Sequence, residues 1–439
     1  MSVEKLGWHS LGTAFDCACG VRHELPIEEC HVGGDAAKHL ADFARARCGR
    51  HALVVSDENT RQVGGEPVLS ALGAVGKRVT EKVYPGEPLE ATEERANEVA
   101  RAGQECDFYV GIGAGTLSDL AKSAGGQQDK PVLLFPTAAS MNGYTSAIVA
   151  LKVRGLKATL PCKPAVGVFA DPAVVATAPQ RMVAAGVADF LSKCSSASDW
   201  YLGHRLRGGY FCARPREFNE GIQERLFAEA GAIGRGEPAG VGLALEALLL
   251  SGLGMVVAGS SAPASGGEHL VSHYLDMKHA LYGTANDLHG VQVGVATVYT
   301  LRLWEQVLAL DPKDADLGAL VAAYPDAETI RARVMEDWGD QVGAEVWAQW
   351  EQKAVYGAAL REEAEKFFSL QDELRERLAA DLEPAETVAA CIETCGGPAR
   401  PEDMAADTHV FYEAVQRARY IRNRLTILDL AAEVGVAPA

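Results

Sequence analysis

Two imidazoles stand four residues apart in Glu268-His269-Leu270-Val271-Ser272-His273, and they share one face if the segment is helical. His289 follows twenty residues after His269, and imidazole is the commonest protein ligand for zinc and similar ions. A three-ligand site with an open position needs one more donor. Asp189 is the choice, because it is the sole charge between Met182 and Ser192, where a helix would bury it, and a buried carboxylate needs a cation or a metal. Plainer accounts compete: an ion pair between Asp189 and Lys193 one turn later, and histidines that simply pack in a core. Cys17, Cys19 and His23 also have ligand chemistry. Cys-x-Cys is not the usual Cys-x2-Cys knuckle and no second pair lies nearby, so no zinc is assigned there. Cys391 and Cys395 read as two small buried side chains.

A second kind of chemistry is written in glycines. The run Gly111-Ile112-Gly113-Ala114-Gly115-Thr116-Leu117-Ser118-Asp119 follows an apolar stretch and opens a helix, so a diphosphate can approach backbone N–H groups at a helix N-terminus. The spacing is not G-x-G-x-x-G, and a turn capped by Thr116 or Ser118 is the bland alternative. The polar run from Pro136 to Ser146 follows the next apolar stretch, so two successive strand ends can face one crevice. Asp57, at the end of an earlier strand, can accept from a ribose hydroxyl and repel a 2′-phosphate, or can cap the helix that starts near Glu58.

The elements that must position these groups fall into two classes. Between residues 50 and 175, apolar runs at Ala52–Ser56, Lys82–Tyr84, Phe108–Ile112, Val132–Phe135 and Val166–Phe169 alternate with helical stretches at Thr92–Gly103 and Leu117–Ala124. That alternation predicts a parallel α/β sheet covered on both faces, with a hairpin inserted at 148–162. Beyond Pro172 strand signals nearly vanish. Helices are predicted at Met182–His204, Pro215–Ile233, Val241–Ala258, Ala344–Ala379 and Tyr412–Val434. The expected division is a nucleotide-binding domain at 1–172 and a helical metal- and substrate-binding domain at 173–439.

Composition excludes several function classes. The 439 residues suffice for two domains, and 48% apolar with 23% charged residues is ordinary for a globular protein. A formal charge of -18 disfavours nucleic acid as a partner. The segment Met1 to His9 lacks the pattern of a secretion signal, and the apolar run Leu243–Ala258 is interrupted by Glu246, Ser251, Gly252 and Gly254, so it reads as a buried helix rather than a membrane span. Ten cysteines without a signal read as thiols in the cytoplasm.

Four segments together, Gly111–Asp119, Pro136–Ser146, Ala184–Trp200 and Ala258–His269 continued to His289–Val295, resemble the glycerol-1-phosphate dehydrogenase group, including its AraM-like bacterial members, within the iron-containing alcohol dehydrogenase and dehydroquinate synthase superfamily. The resemblance implies an N-terminal Rossmann-like domain, an all-α C-terminal domain and an active site in the cleft between them. It implies a divalent metal on Asp189, His269 and His289, zinc foremost, with nickel or iron as alternatives. It places NAD or NADP against Gly113, Gly115, Thr116, Asp119, Thr137, Ser140 and Ser146, with Asp57 favouring NAD. His273 matches a substrate-contacting histidine and is a candidate to relay a proton. Lys193, Arg205, Arg207 and Lys278, near the metal motifs in sequence, are candidate cations for a phosphate with the choice among them open, and Lys193 draws interest because it would share a helix face with Asp189. The expected reaction is hydride transfer between the nicotinamide and a small phosphorylated ketone or alcohol, dihydroxyacetone phosphate and sn-glycerol 1-phosphate being the best fit, in a homodimer or larger homo-oligomer. One position departs: Asn142 stands where the group usually has a substrate-binding Asp. Another small ketone or aldehyde, or a carbocycle-forming lyase reaction, is the alternative.

Overall fold

The computed structural model describes residues 5–86, 88–153 and 156–437. Residues 1–4 of the N-terminal segment and 154–155 of the predicted hairpin lie outside the described residues. The strands are β1 (Ala14–Asp16), β2 (Arg22–Glu24), β3 (Glu29–Val32), β4 (His51–Asp57), β5 (Arg78–Tyr84), β6 (Phe108–Gly113), β7 (Val132–Pro136), β8 (Ile148–Val153), β9 (Leu156–Pro161) and β10 (Gly167–Ala170). Six of them form one parallel sheet in the order β3-β10-β7-β6-β4-β5. β1 with β2 and β8 with β9 form antiparallel hairpins.

The predicted strands all appear. Their apolar runs are explained by position, since every residue of β6, β7 and β10 is buried, as strands covered on both faces require. β3 was missed because Glu29-Cys30-His31-Val32 is half-buried along its length, at a sheet edge that gives no apolar signal. Helices Ala36–Arg47 and Glu66–Ala74 lay Leu40, Phe43, Val68 and Leu72 on Val54, Val110, Ile112, Leu133, Phe135 and Phe169. Each such fully buried side chain contributes roughly 1.5–3 kcal/mol.

By its internal contacts the chain forms two compact units, Met1–Phe190 with Cys212–Ser261 and Cys391–Gly397, and Leu191–Phe211 with Ala262–Ala390 and Pro398–Ala439. The first carries the sheet and the apolar helix Pro238–Ala258. By length and composition alone that helix could cross a membrane, but 89% of its apolar window is buried, as a core helix. The second is helical among its described residues, with Lys193–Arg207, Gly267–Tyr282, His289–Ala309, Ala327–Glu351 and Gly357–Leu378 as its long members. The single helix expected over Met182–His204 is two, Gln180–Leu191 and Lys193–Arg207, separated at Ser192.

Candidate active site

The glycine loop leaves the sheet where the sequence suggests. Gly113 ends β6 beside Pro136, which ends β7, and the Thr137 N–H donates to the Gly113 carbonyl at 3.3 Å, so the two loops begin side by side. Gly113 is required by close approach: a Cβ there would stand 2.4 Å from a Leu117 methyl carbon. The helix Gly115–Gln128 starts from Ala114 with no side-chain cap, which leaves its first N–H groups to other acceptors. Gly115 and Thr116 are half-buried beside it. Asp119 is turned inward, where its Oδ2 accepts from the Ala150 N–H at 2.9 Å. Asp57 caps the short helix Glu58–Thr60, its Oδ1 accepting from the Thr60 N–H at 2.7 Å.

The second loop is wedged between two helices that glycines allow to come close. A Cβ at Gly186 would lie 2.0 Å from the Ala139 carbonyl oxygen, and one at Gly252 would lie 2.0 Å from Thr145 Oγ1. Buried Lys122 holds the loop from below, donating to the Gly143 and Ile148 carbonyls at 2.7 Å each. Buried Ser146 also bonds inward, its hydroxyl donating to the Gly143 carbonyl at 3.0 Å. Thr137 is buried and Ser140 half-buried. One turn past Gly186, buried Asp189 accepts from the Asn142 backbone N–H at 3.0 Å. The Asn142 side-chain nitrogen is buried with no hydrogen-bond partner among the described residues.

In the helical unit the three histidines come together. The ring centroids of His269 and His289 are 5.2 Å apart, those of His269 and His273 6.2 Å, and His273 stacks on His289 at 5.9 Å and 14°. His269 Nδ1 lies 2.9 Å from Glu268 Oε1, an oxygen that also accepts from the Gly266 N–H at 2.7 Å, so the imidazole donates from Nδ1. His289 Nδ1 lies 2.9 Å from Ser272 Oγ, and the hydroxyl proton of Ser272 goes to Gln292 Oε1 at 2.8 Å. Gln292 is fixed the right way round because its amide nitrogen donates to the Asp287 carbonyl at 3.2 Å and to Asn286 Oδ1. His289 therefore also donates from Nδ1. Both rings are left with the lone pair on Nε2, the tautomer that outer partners impose on metal-binding histidines.

Sequence reading missed these partners, although Glu268 adjoins His269 and Ser272 lies one turn on. It also missed Asp199, which is buried and takes the Gly267 N–H at 2.8 Å through Oδ2 and the Ile427 N–H at 2.8 Å through Oδ1, fastening the start of the histidine helix. Burial, with Glu268 nearby, holds the Asp199 carboxyl well above the usual carboxylate range. Of the candidate cations, Arg205 pairs with Glu373 at 2.6 Å, Arg207 with Glu363 at 2.7 Å, and Lys278 with Glu413 at 3.2 Å. Lys193 is buried at the first position of its helix, so the break at Ser192 puts it on a different helix from Asp189.

The chain is similar to known proteins along most of its length. Residues 31–179 match the family described as iron-containing alcohol dehydrogenase. The fold is that of a crystal structure of an iron-containing alcohol dehydrogenase from Corynebacterium glutamicum, 15% identical, with 95% of this chain and 98% of that chain covered at a TM-score of 0.60. A glycerol-1-phosphate dehydrogenase [NAD(P)+] from Geobacillus stearothermophilus is 26% identical over 96% of each chain. One from Bacillus velezensis is 33% identical over 72% of this chain and 83% of the relative. At that identity and coverage, the chain belongs to the glycerol-1-phosphate dehydrogenase [NAD(P)+] family.

Proposed function

We propose that the chain is an NAD(P)-dependent, metal-containing dehydrogenase that interconverts dihydroxyacetone phosphate and sn-glycerol 1-phosphate. The carrying observation is the donor set. His269 and His289 stand with ring centroids 5.2 Å apart, both imidazoles are already engaged through Nδ1, and buried Asp189 is the carboxylate we assign with them. Two neutral imidazoles and a carboxylate fit a divalent cation that keeps a position open, and they suit zinc first, with nickel or iron as competitors. When bound, such an ion supplies Lewis-acid polarisation of a carbonyl oxygen, and the nicotinamide supplies the hydride.

The chain's own residues do the rest. Glu268 and Ser272 hold the rings in the productive tautomer, and the Asn142 N–H orients Asp189. His273, stacked on His289, orients the substrate and passes a proton to or from its oxygen. The uncapped N-terminus at Gly115, with Thr116, Thr137 and Ser140 around it, receives the dinucleotide phosphates, and Gly113 keeps the approach clear. Asp119 and Ser146 support that crevice by anchoring the hairpin and the second loop. We assign the substrate phosphate to Lys193, a buried cation at the first position of the helix Lys193–Arg207. Asp57 spends one oxygen on its cap, which leaves the other to a ribose hydroxyl and the preference on NAD. Ten thiols fit a reducing compartment, the cytoplasm.

Asn142 supports a second reading, because it offers a buried amide where a charge is usual. The test is NADH oxidation by zinc-loaded protein with dihydroxyacetone phosphate, beside unphosphorylated ketones and aldehydes. Metal-dependent turnover of the phosphorylated ketone, absent in His269→Ala, is expected. Turnover of the unphosphorylated compounds alone would transfer the assignment to them.

A further inference from the structure

The cluster set aside in the sequence gains a fourth member in the fold. Cys17 and Cys19 lie in the turn of the β1–β2 hairpin and His23 lies on β2, opposite Phe15. Cys212, 189 residues beyond His23, arrives where the chain re-enters the first unit. Cys17 Sγ is 3.7 Å from Cys212 Sγ, Cys212 Sγ is 3.6 Å from His23 Nε2, and Cys19 Sγ is 3.2 Å from His23 Nε2. One ligand atom from each of the four lies within 4.8 Å of the rest.

We propose that Cys17, Cys19, His23 and Cys212 form a closed, tetrahedral Cys3His site for a structural zinc ion, separate from the Asp189, His269 and His289 set. Bond lengths of about 2.3 Å to sulfur and about 2.05 Å to nitrogen put tetrahedral ligands roughly 3.8 Å apart for two sulfurs and roughly 3.5 Å apart for sulfur and nitrogen, which the observed separations approach. Hydrogen bonds among thiols are weak and would not repay gathering three of them round an imidazole. His23 and Cys212 are 3% and 2% exposed and Cys17 and Cys19 are half-buried, so two of the four donors are shut away from water. The hairpin also needs a fastening, since two strands of three residues are marginal by themselves. The ion would tie this hairpin to the segment that opens the turn Arg214–Phe218, where Arg214 already stands over the Phe15 ring at 5.3 Å. Zinc binding releases the thiol protons and forms three zinc–sulfur bonds and one zinc–nitrogen bond, with no change of oxidation state.

Cobalt(II) separates the two sites, because only this one has thiolates. The full chain reconstituted with cobalt should show a thiolate-to-metal charge-transfer band in the near ultraviolet. The band should survive His269→Ala, vanish in Cys212→Ser together with one equivalent of bound zinc, and persist in shifted form in Cys212→His, which restores a donor and guards against simple misfolding. A cobalt-loaded wild type without that band would overturn the site, whatever becomes of the activity. So would an intact mass lighter by two hydrogens in wild type and not in Cys212→Ser, which would mark a disulfide between Cys17 and Cys212.

Discussion

The two donor clusters differ in what surrounds their donors. At His269 and His289 each ring is backed by a group outside the proposed ligand set, Glu268 in one case and Ser272 with Gln292 in the other, and that proposed set has three donors. At the hairpin the donors lean on one another and the set reaches four. Supporting partners and a vacant position suit an ion that must take and release a substrate oxygen, whereas a closed ring of donors suits an ion that only fastens. The contrast teaches that the number of donors says less than what the donors' other atoms are doing.

The comparison breaks most decisively at His269. His269→Ala should reduce turnover by more than the roughly 10–100-fold that loss of an outer partner costs, while the hairpin keeps its zinc, as metal analysis beside the rate would show. Equal loss of metal from both clusters would erase the distinction. Ser272→Ala should be milder. Without the hydroxyl the His289 ring loses the acceptor that fixes its tautomer, so metal affinity or activity should fall by roughly 10–100-fold and recover in part at high metal concentration. An unchanged affinity would show that the outer partner does no orienting.

What the sequence made legible follows the range of each signal. The strands of the sheet interior were readable because burial on both faces writes continuous apolar runs, while β3 at the edge wrote none. His269 and His273 were readable through helical spacing, and the glycine loop through its place between a strand and a helix. Cys212 was not, because its partners lie near the other end of the first unit's chain and a distance of 189 residues carries no pattern. The break at Ser192 escaped too, since Ser192 has a helical backbone conformation and no Gly or Pro punctuates the run there. Lys122 went unremarked, because nothing local to a lysine within a helical stretch shows that it is buried and feeds two loop carbonyls.

The smallest effect sharpens the comparison by removing a confounder. Metal ligands must shed protons, so the stability each cluster gains from an ion grows as pH rises. Glu433 works in the opposite sense. Burial, followed by the charges of Glu363 and Asp429, pushes its carboxyl up to about 8, against which Arg207 at 3.2 Å and Arg419 pull. The folded chain therefore holds a proton that the unfolded chain releases near 4.5, and the resulting stability is full below that pH and is lost as pH rises through about 8. One proton changes stability by at most roughly 1.4 kcal/mol per pH unit. In chelator-treated protein the melting temperature should decline across this window, and Glu433→Gln, which cannot ionise, should flatten the decline. With metal restored to that variant, stability should rise with pH, and Cys212→Ser in the same background should remove the hairpin's share of the rise. A decline that survives Glu433→Gln in metal-free protein would place the titration elsewhere, and the pH profile would then no longer separate the two clusters.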